Sequence, residues 1–383
     1  MKQDTARFFC LGKTDAFLLP LVSLLTLVIL FFTAELGSRL LWKTYGTNLC
    51  MTQDPRLVVN WTPNCVAHVK GLETTPAVYR FNECGFRSTR SCHAKPRGEF
   101  RLVAIGSSNV FGYWLDVEDT FPDRLSTLLR SNCATPVEAQ NLGLPGVGPA
   151  ALVNRIEETI ALRPDLVVIG LSASDIFDDA SVDWGKPGAP PTHPGLGTRL
   201  LTTAKDWSRE SRLVAVARHY LYENRDHYLQ AMMLRGEGER MTRTLNPALE
   251  KKFRRAEAAL DRMASSFRAA GIPVALVYLP DRIRASLMKK HDDYPRLQPD
   301  SVRDRLRAAA EHYGMTFVDP TQVFQDSANP ASLFYPADGH MNAAGHALVA
   351  EATLHTLLGS EPVKPPATCA KLANMTATAY LTR

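Results

Sequence analysis

The chain has 383 residues, 45% hydrophobic and 22% charged, with a formal net charge of +5 at pH 7. That length allows one large domain with extensions or two smaller ones, and the apolar share excludes a disordered chain. The charge is mild and no dense basic block occurs, so nucleic acid is not expected as a partner.

Residues 16–34 read AFLLPLVSLLTLVILFFTA without a charge, close to the ~20 apolar residues that cross a bilayer. A cleavable leader has a shorter apolar region and a small-residue cleavage site, whereas Phe32 stands two residues before Ala34 here. The segment reads as an uncleaved anchor in the inner (plasma) membrane. A cytoplasmic tail (1–15) precedes it, and the remainder of the chain is expected in the periplasm or outside the cell. Lys2, Arg7 and Lys13 precede the span while Arg39 and Lys43 follow it, so the positive-inside rule adds little.

Cys10 lies before the span; Cys50, Cys65, Cys84, Cys92, Cys133 and Cys369 follow it. An even set beyond a membrane span suits disulfides in an oxidising compartment. Short loops favour Cys50–Cys65 and Cys84–Cys92, leaving Cys133 with Cys369; six reduced thiols are the alternative. No Cys-x-x-Cys spacing suggests zinc, and no metal site is expected.

Residues 43–98, rich in Asn, Cys and Pro, read as an irregular, extended extracytoplasmic lead-in. From residue 99 strands and helices alternate. RLVAIG (101–106), DLVVIG (165–170), PVALVYL (273–279) and MTFVD (315–319) are short apolar runs expected as buried strands. A helix follows Thr120, a plausible cap with Asp123 in capping-box position. Another carries Leu152, Ile156 and Ile160. Further amphipathic helices are expected around 247–270, 301–313 and 342–358. Alternation of this kind predicts an α/β three-layer sandwich with a parallel sheet over 99–360, preceded by the one transmembrane helix. An insertion at about 180–245 includes the Pro/Gly-rich run 185–197, and 361–383 form a tail. Residues 199–255 hold 13 Lys or Arg against 7 Asp or Glu, read as a solvated helical surface rather than a surface for lipid headgroups or acidic glycan.

In such sheets ligands bind beyond the carboxyl ends of the strands. Ser108, in VAIGSSNVFG, lies just past one such end. Asp338 and His340, in YPADGHMNAAGH, lie beyond the last strand. A hydroxyl to attack, an imidazole to take its proton and a carboxylate to orient the ring are the parts of an acyl-transfer triad. A turn at Ala337-Asp338-Gly339 would let the carboxylate reach back to the imidazole.

These segments resemble the SGNH (GDSL-type) hydrolase superfamily, in its order. VAIGSSNVFGYWLDVEDTFPDRL resembles the nucleophile block, QNLGLPGVG the block whose glycine, here Gly146, gives an N–H to the oxyanion, and YPADGHMNAAGH the acid–base block. YRFNECGFRS (79–88) resembles the lead-in of membrane-anchored members. The resemblance spans about residues 80–360. It implies Ser108, His340 and Asp338 as catalytic residues and no cofactor. Two positions depart from the pattern: Ser107 replaces the Asp of Gly-Asp-Ser, and Ser174 replaces an Asn whose amide donates to the oxyanion. The Asp-x-His spacing resembles a periplasmic branch that includes alginate O-acetyltransferase-like proteins. The expected function is an anchored serine esterase or O-acyltransferase acting on ester-bearing carbohydrate or lipid. The alternative is a catalytically weakened domain serving as a glycan-binding or assembly scaffold.

Overall fold

Five parallel strands form the centre of the protein in the computed structural model, which describes residues 13–46, 49–133, 135–178, 210–289 and 293–359. The chain divides into two compact units, Met1–Lys43 with Thr192–Arg218, and Thr44–Pro191 with His219–Arg383.

In the first unit a helix runs over Lys13–Leu41, 29 residues with Pro20 inside it. Its segment Phe17–Leu41 has a mean hydropathy of 2.5 over its most apolar stretch and buries none of that surface within the protein. It is long and apolar enough to cross a membrane, a property shared with secretory leaders. Near its end Glu35 accepts from Ser211 Oγ (2.8 Å) and from the backbone N–H groups of Arg212 (3.0 Å) and Leu213 (2.8 Å). Those amides open the helix Arg212–Glu223, so Glu35 satisfies N–H groups that the helix leaves without partners.

The second unit holds the sheet. Strands β5 (Phe100–Gly106), β6 (Val137–Asn141), β7 (Leu166–Leu171), β8 (Val274–Tyr278) and β9 (Thr316–Val318) lie in the order β6-β5-β7-β8-β9, all parallel. Residues of β5, β7 and β8 are buried almost throughout because helices cover both faces. Phe121–Asn132 and Ala343–Gly359 join one core with Leu102, Ala104, Val168 and Val277; Pro247–Ala269 and Ser301–Tyr313 join the other with Val103, Ile105, Ile169 and Leu276. The strand order reverses beside β5, which opens a crevice beyond the carboxyl ends of β5 and β7.

The strand β6 was not expected from its sequence, VEAQN. It is one of the two edge strands of this sheet, yet every residue in it is buried. The lead-in covers it, and here the structure departs from the extended segment expected. Residues 51–80 form two hairpins, β1 (Met51–Asp54) with β2 (Val58–Trp61) and β3 (Val66–Val69) with β4 (Ala77–Arg80). The disulfides Cys50–Cys65 and Cys84–Cys92 staple this segment as expected. Cys369, the expected partner of Cys133, lies outside the described residues, as do the Pro/Gly-rich run and the C-terminal tail.

The lead-in satisfies the polar groups of β6 one by one. Arg87 N–H donates to Asn141 O (2.9 Å), Ser88 Oγ to Ala139 O (2.8 Å) and Asn82 Nδ2 to Gln140 Oε1 (2.8 Å). Glu138 pairs with the buried Arg101 of β5. An uncovered edge would expose a row of unpaired backbone groups; this covering also explains how a polar strand can be buried.

Candidate active site

Gly106 ends β5 tight against its neighbours. A Cβ there would meet Gly170 O at 2.5 Å and Val110 Cγ2 at 2.2 Å, so only glycine lets the short helix Ser108–Phe111 settle onto the sheet. Arg87 holds the far end of that turn. Its buried guanidinium donates to the carbonyls of Phe111 (2.5 Å), Gly112 (2.6 Å) and Leu115, and lies 4.4 Å from the ring centroids of Tyr79 and Phe111. A residue of the lead-in thus fixes the backbone that presents Ser108.

The loop after β9 turns back as its Asp-Gly pair suggests. Gly339 takes the left-handed φ of 86°, and its N–H donates to Tyr335 O at 3.0 Å. His340 Nε2 then lies 2.8 Å from Ser108 Oγ, and His340 Nδ1 lies 2.6 Å from Asp338 Oδ1. The acceptor-only carboxylate assigns the proton to Nδ1, leaving Nε2 to accept from the hydroxyl. The side chains of His340 and Asp338 are 26% and 28% exposed. Tyr113 stacks on the imidazole, centroids 5.1 Å apart.

Four further residues set this geometry, and the sequence reading did not single them out. Trp114 Nε1 donates to Asp338 Oδ2 at 2.9 Å, giving the second oxygen a partner. Trp114 itself has a φ of 68°, unfavourable for a bulky residue, and Tyr79 Oη accepts its N–H at 2.8 Å. Glu73, its side chain 3% exposed, accepts from the backbone of Ala337 (2.8 Å) and Asp338 (2.8 Å), while His219 Nδ1 lies 2.6 Å from it. Glu73 lies on the lead-in and His219 on the insertion, so both gather at the loop that carries Asp338.

Burial opposes charge on His340, but the Asp338 charge and hydrogen bond, with Asp175 further off, outweigh it and raise the imidazole above its ordinary value. Burial likewise opposes charge on Asp338, and His340 and Trp114 hold it below the usual carboxylate range. The pair is set to accumulate a proton on the ring, as general-base catalysis by histidine requires.

At the end of β7, Ser172 and Asp175 form a capping box: Ser172 Oγ accepts from Asp175 N–H (3.4 Å) and Asp175 Oδ2 accepts from Ser172 N–H (2.7 Å). Ser172 Oγ donates to Asp175 Oδ2 at 2.8 Å and lies 2.8 Å from Ser174 Oγ. With its one proton on Asp175, Ser172 is left to accept from Ser174. Burial pushes the Asp175 carboxyl up to about 6, against the Ser172 hydrogen bonds and the nearby His340. Ser174 lines the same cavity as Ser108 and His340, and Gly146 does not. Gly146 sits exposed on the turn after β6 with a φ of 73°. Among the described residues nothing accepts the N–H groups of Gly146 or Ser108.

The cavity has a volume of about 270 Å³. The insertion supplies part of its wall through Tyr228, Met232, Glu237 and Arg240. This part of the region expected as a solvated surface instead packs inward, with Tyr222, Tyr228, Leu229 and Met241 buried beside Ile283 and Leu287. The last-helix His346 stays apart from the cavity: its Nδ1 accepts the N–H of Phe121 at 3.0 Å. The expected capping box does not form, and Thr120 Oγ1 donates to Val117 O instead.

A parallel sheet with a serine, a histidine and an aspartate assembled beyond its carboxyl edge is the arrangement of a serine hydrolase. Residues 104–348 match the GDSL-like lipase/acylhydrolase family, and the chain belongs to it. It is accordingly an enzyme, a hydrolase of esterase type. The chain is similar to the solved structures of a lipase/acylhydrolase from Enterococcus faecalis (13% identity, covering 68% of this chain and 96% of that chain, TM-score 0.38). It is similar to those of a G-D-S-L family lipolytic protein from Veillonella parvula DSM 2008 (14%, 67% and 97%, 0.34) and the SGNH-hydrolase family esterase AlinE4 (18%, 69% and 98%, 0.35). No curated protein matches the chain.

Proposed function

We propose that this protein is a membrane-anchored serine esterase or O-acyltransferase that moves short acyl groups, such as acetyl, from or onto exported carbohydrate or lipid. The observation that carries the reading is the continuous line from Ser108 Oγ through His340 to Asp338, at 2.8 and 2.6 Å.

In this mechanism His340 Nε2 takes the Ser108 proton as Oγ attacks the ester carbonyl. The N–H group of Ser108 and the Ser174 hydroxyl, both at the cavity, stabilise the oxyanion; Gly146, outside the cavity wall, is not given that role. Collapse breaks the bond to the alcohol, which leaves with the proton from His340. Water or a sugar hydroxyl then gives its proton to His340, attacks the acyl-serine and releases Ser108 with its proton restored. Water makes the enzyme an esterase; a sugar hydroxyl makes it a transferase.

A cavity of about 270 Å³ with charged residues in its wall suits a short acyl group better than a long alkyl chain. The helix Lys13–Leu41 supports the anchor and the two disulfides support an oxidising compartment outside the cytoplasm. The catalytic domain is proposed over 99–360, with 43–98 as a part of its scaffold. The acyl-length reading is tested by comparing a chromogenic acetyl ester with its long-chain homologue on the full chain in detergent. Preference for the long chain would overturn the short-acyl assignment, and no turnover of either would favour a scaffold.

A further inference from the structure

The cavity that contains Ser108 and His340 is lined by three arginines, Arg240, Arg282 and Arg284. Two of them are neutralised inside the protein. Arg240 forks onto Asp178 at 2.7 and 2.6 Å and reaches Glu237 at 3.3 Å. Arg284 pairs with Asp281 at 2.5 Å and donates to Pro299 O at 3.0 Å. The carboxylates of Asp178, Glu237 and Asp281 in the cavity wall are therefore engaged by those two cations.

Arg282 is different. It is only 4% exposed, yet no carboxylate among the described residues forms an ion pair with it. Its Nη2 donates to Tyr222 O at 2.5 Å, and its guanidinium lies 3.8 Å from the Tyr228 ring centroid. Nε and Nη1 have no hydrogen-bond partner. The carboxylate whose charge acts on it is Glu73, and that group is occupied by His219 and the amides of Ala337 and Asp338. A buried cation without a hydrogen-bonded counter-charge is costly, and stacking on a ring recovers only part of that cost. Among the described residues, the cavity therefore holds one cation, Arg282, without a hydrogen-bonded carboxylate.

We propose that Arg282 is the anion-recognising residue of this cavity, so that the ester the enzyme takes carries an anionic group, a carboxylate or phosphate, seated against the guanidinium. Stacking on Tyr228 and the bond to Tyr222 hold the guanidinium in place, so little freedom is lost when an oxyanion arrives. The two donors left without a partner, Nε and Nη1, are buried, so seating the anionic group against either of them requires the cavity wall to shift. The selectivity follows because a neutral substrate leaves the cation as it is, while an anionic one completes it.

The inference rests on Ser108 being the nucleophile of the cavity, and the experiment separates the two. On the full chain in detergent, kcat/KM is measured for two matched pairs. One pair is a chromogenic hemisuccinate and its methyl succinate counterpart, which puts the charge on the acyl side. The other is an acetylated sugar phosphate and the same acetylated sugar without phosphate, which puts it on the alcohol side. In at least one pair the anionic ester is expected to be favoured about tenfold or more, the scale of one charge-assisted hydrogen bond. Arg282→Gln should reduce that ratio about tenfold, and Arg282→Lys should restore part of it. Inorganic phosphate should inhibit the wild-type protein competitively. If Arg282→Gln does not fold, the wild-type ratios and the Lys variant decide. Turnover that depends on Ser108 but shows no anionic preference in either pair, or a ratio indifferent to Arg282→Gln, overturns the proposal and leaves the nucleophile standing. Turnover that survives Ser108→Ala overturns the site itself.

Discussion

Glu73 accepts the backbone N–H of Asp338 at 2.8 Å across 265 residues of sequence. It also accepts from Ala337, so one buried carboxylate holds two successive amides of the loop that orients the imidazole. Displacements near 1 Å in such a constellation can cost about 10²-fold in rate. Glu73→Ala should therefore lower kcat by about ten- to a hundredfold with a smaller change in KM, and Glu73→Gln, which keeps one acceptor, should lose less. Steady-state kinetics alongside a thermal melt check this. A loss of Tm with kcat intact in the folded fraction would make Glu73 structural only.

The pH–rate profile follows from the raised imidazole. Protonated His340 cannot take the Ser108 proton, so activity falls as pH drops. Because Asp338 lifts the imidazole above 6.5, the midpoint of that fall in kcat/KM should lie above pH 6.5. Asp338→Asn removes the lifting charge and should move the midpoint down while lowering the rate. A wild-type midpoint below 6 would contradict the assigned pairing.

The hydroxyl of Ser174 already has an acceptor in Ser172. It must turn away from that partner to donate to an oxyanion. A preorganised donor is worth about 10²–10³ in kcat, so Ser174→Ala should cost less than this, near tenfold. Ser174→Asn supplies a fixed amide and should raise kcat on an acetyl ester. Single-turnover acylation rates report both effects, and an unchanged rate in Ser174→Ala would remove Ser174 from the oxyanion site.

His346 links stability to pH in the opposite sense to His340. Burial first, then the charges of Arg87, His340 and Arg124, depress its imidazole from 6.5 to about 3. Above pH 6.5 it is neutral whether folded or not. Between pH 6.5 and about 3 only the unfolded chain binds the proton, so folding stability declines as pH falls. His346→Asn keeps an acceptor for the Phe121 amide without the titration. Its Tm should fall less steeply over this window than that of the wild-type protein, as differential scanning fluorimetry would register. Parallel slopes would refute the linkage.

Three of the apolar strands were legible because each is buried on both faces and is bounded by turn residues. The fourth, Thr316–Val318, is half-buried at the sheet edge but keeps the same short apolar run. Val137–Asn141 was not legible, since Glu138, Gln140 and Asn141 find partners in Arg101, Asn82 and the backbone N–H of Arg87, residues remote in sequence. Ser108, Asp338 and His340 were legible through local blocks: a strand that ends in glycine, and an Asp-Gly-His turn. Glu73, Trp114 and Arg87 act through backbone or second-oxygen contacts that leave no spacing signature. Ser172 and Asp175 did leave one, the Ser-x-x-Asp of a capping box, at the start of a helix too short to show periodicity.

The central claim is that Ser108 forms an acyl-enzyme. A serine-directed phosphonate incubated with the full chain, followed by peptide mass spectrometry, reads this directly. The account predicts modification of the peptide at Ser108, abolished in Ser108→Ala and slowed strongly in His340→Ala. An unlabelled Ser108 in a protein that still hydrolyses an acetyl ester would contradict it.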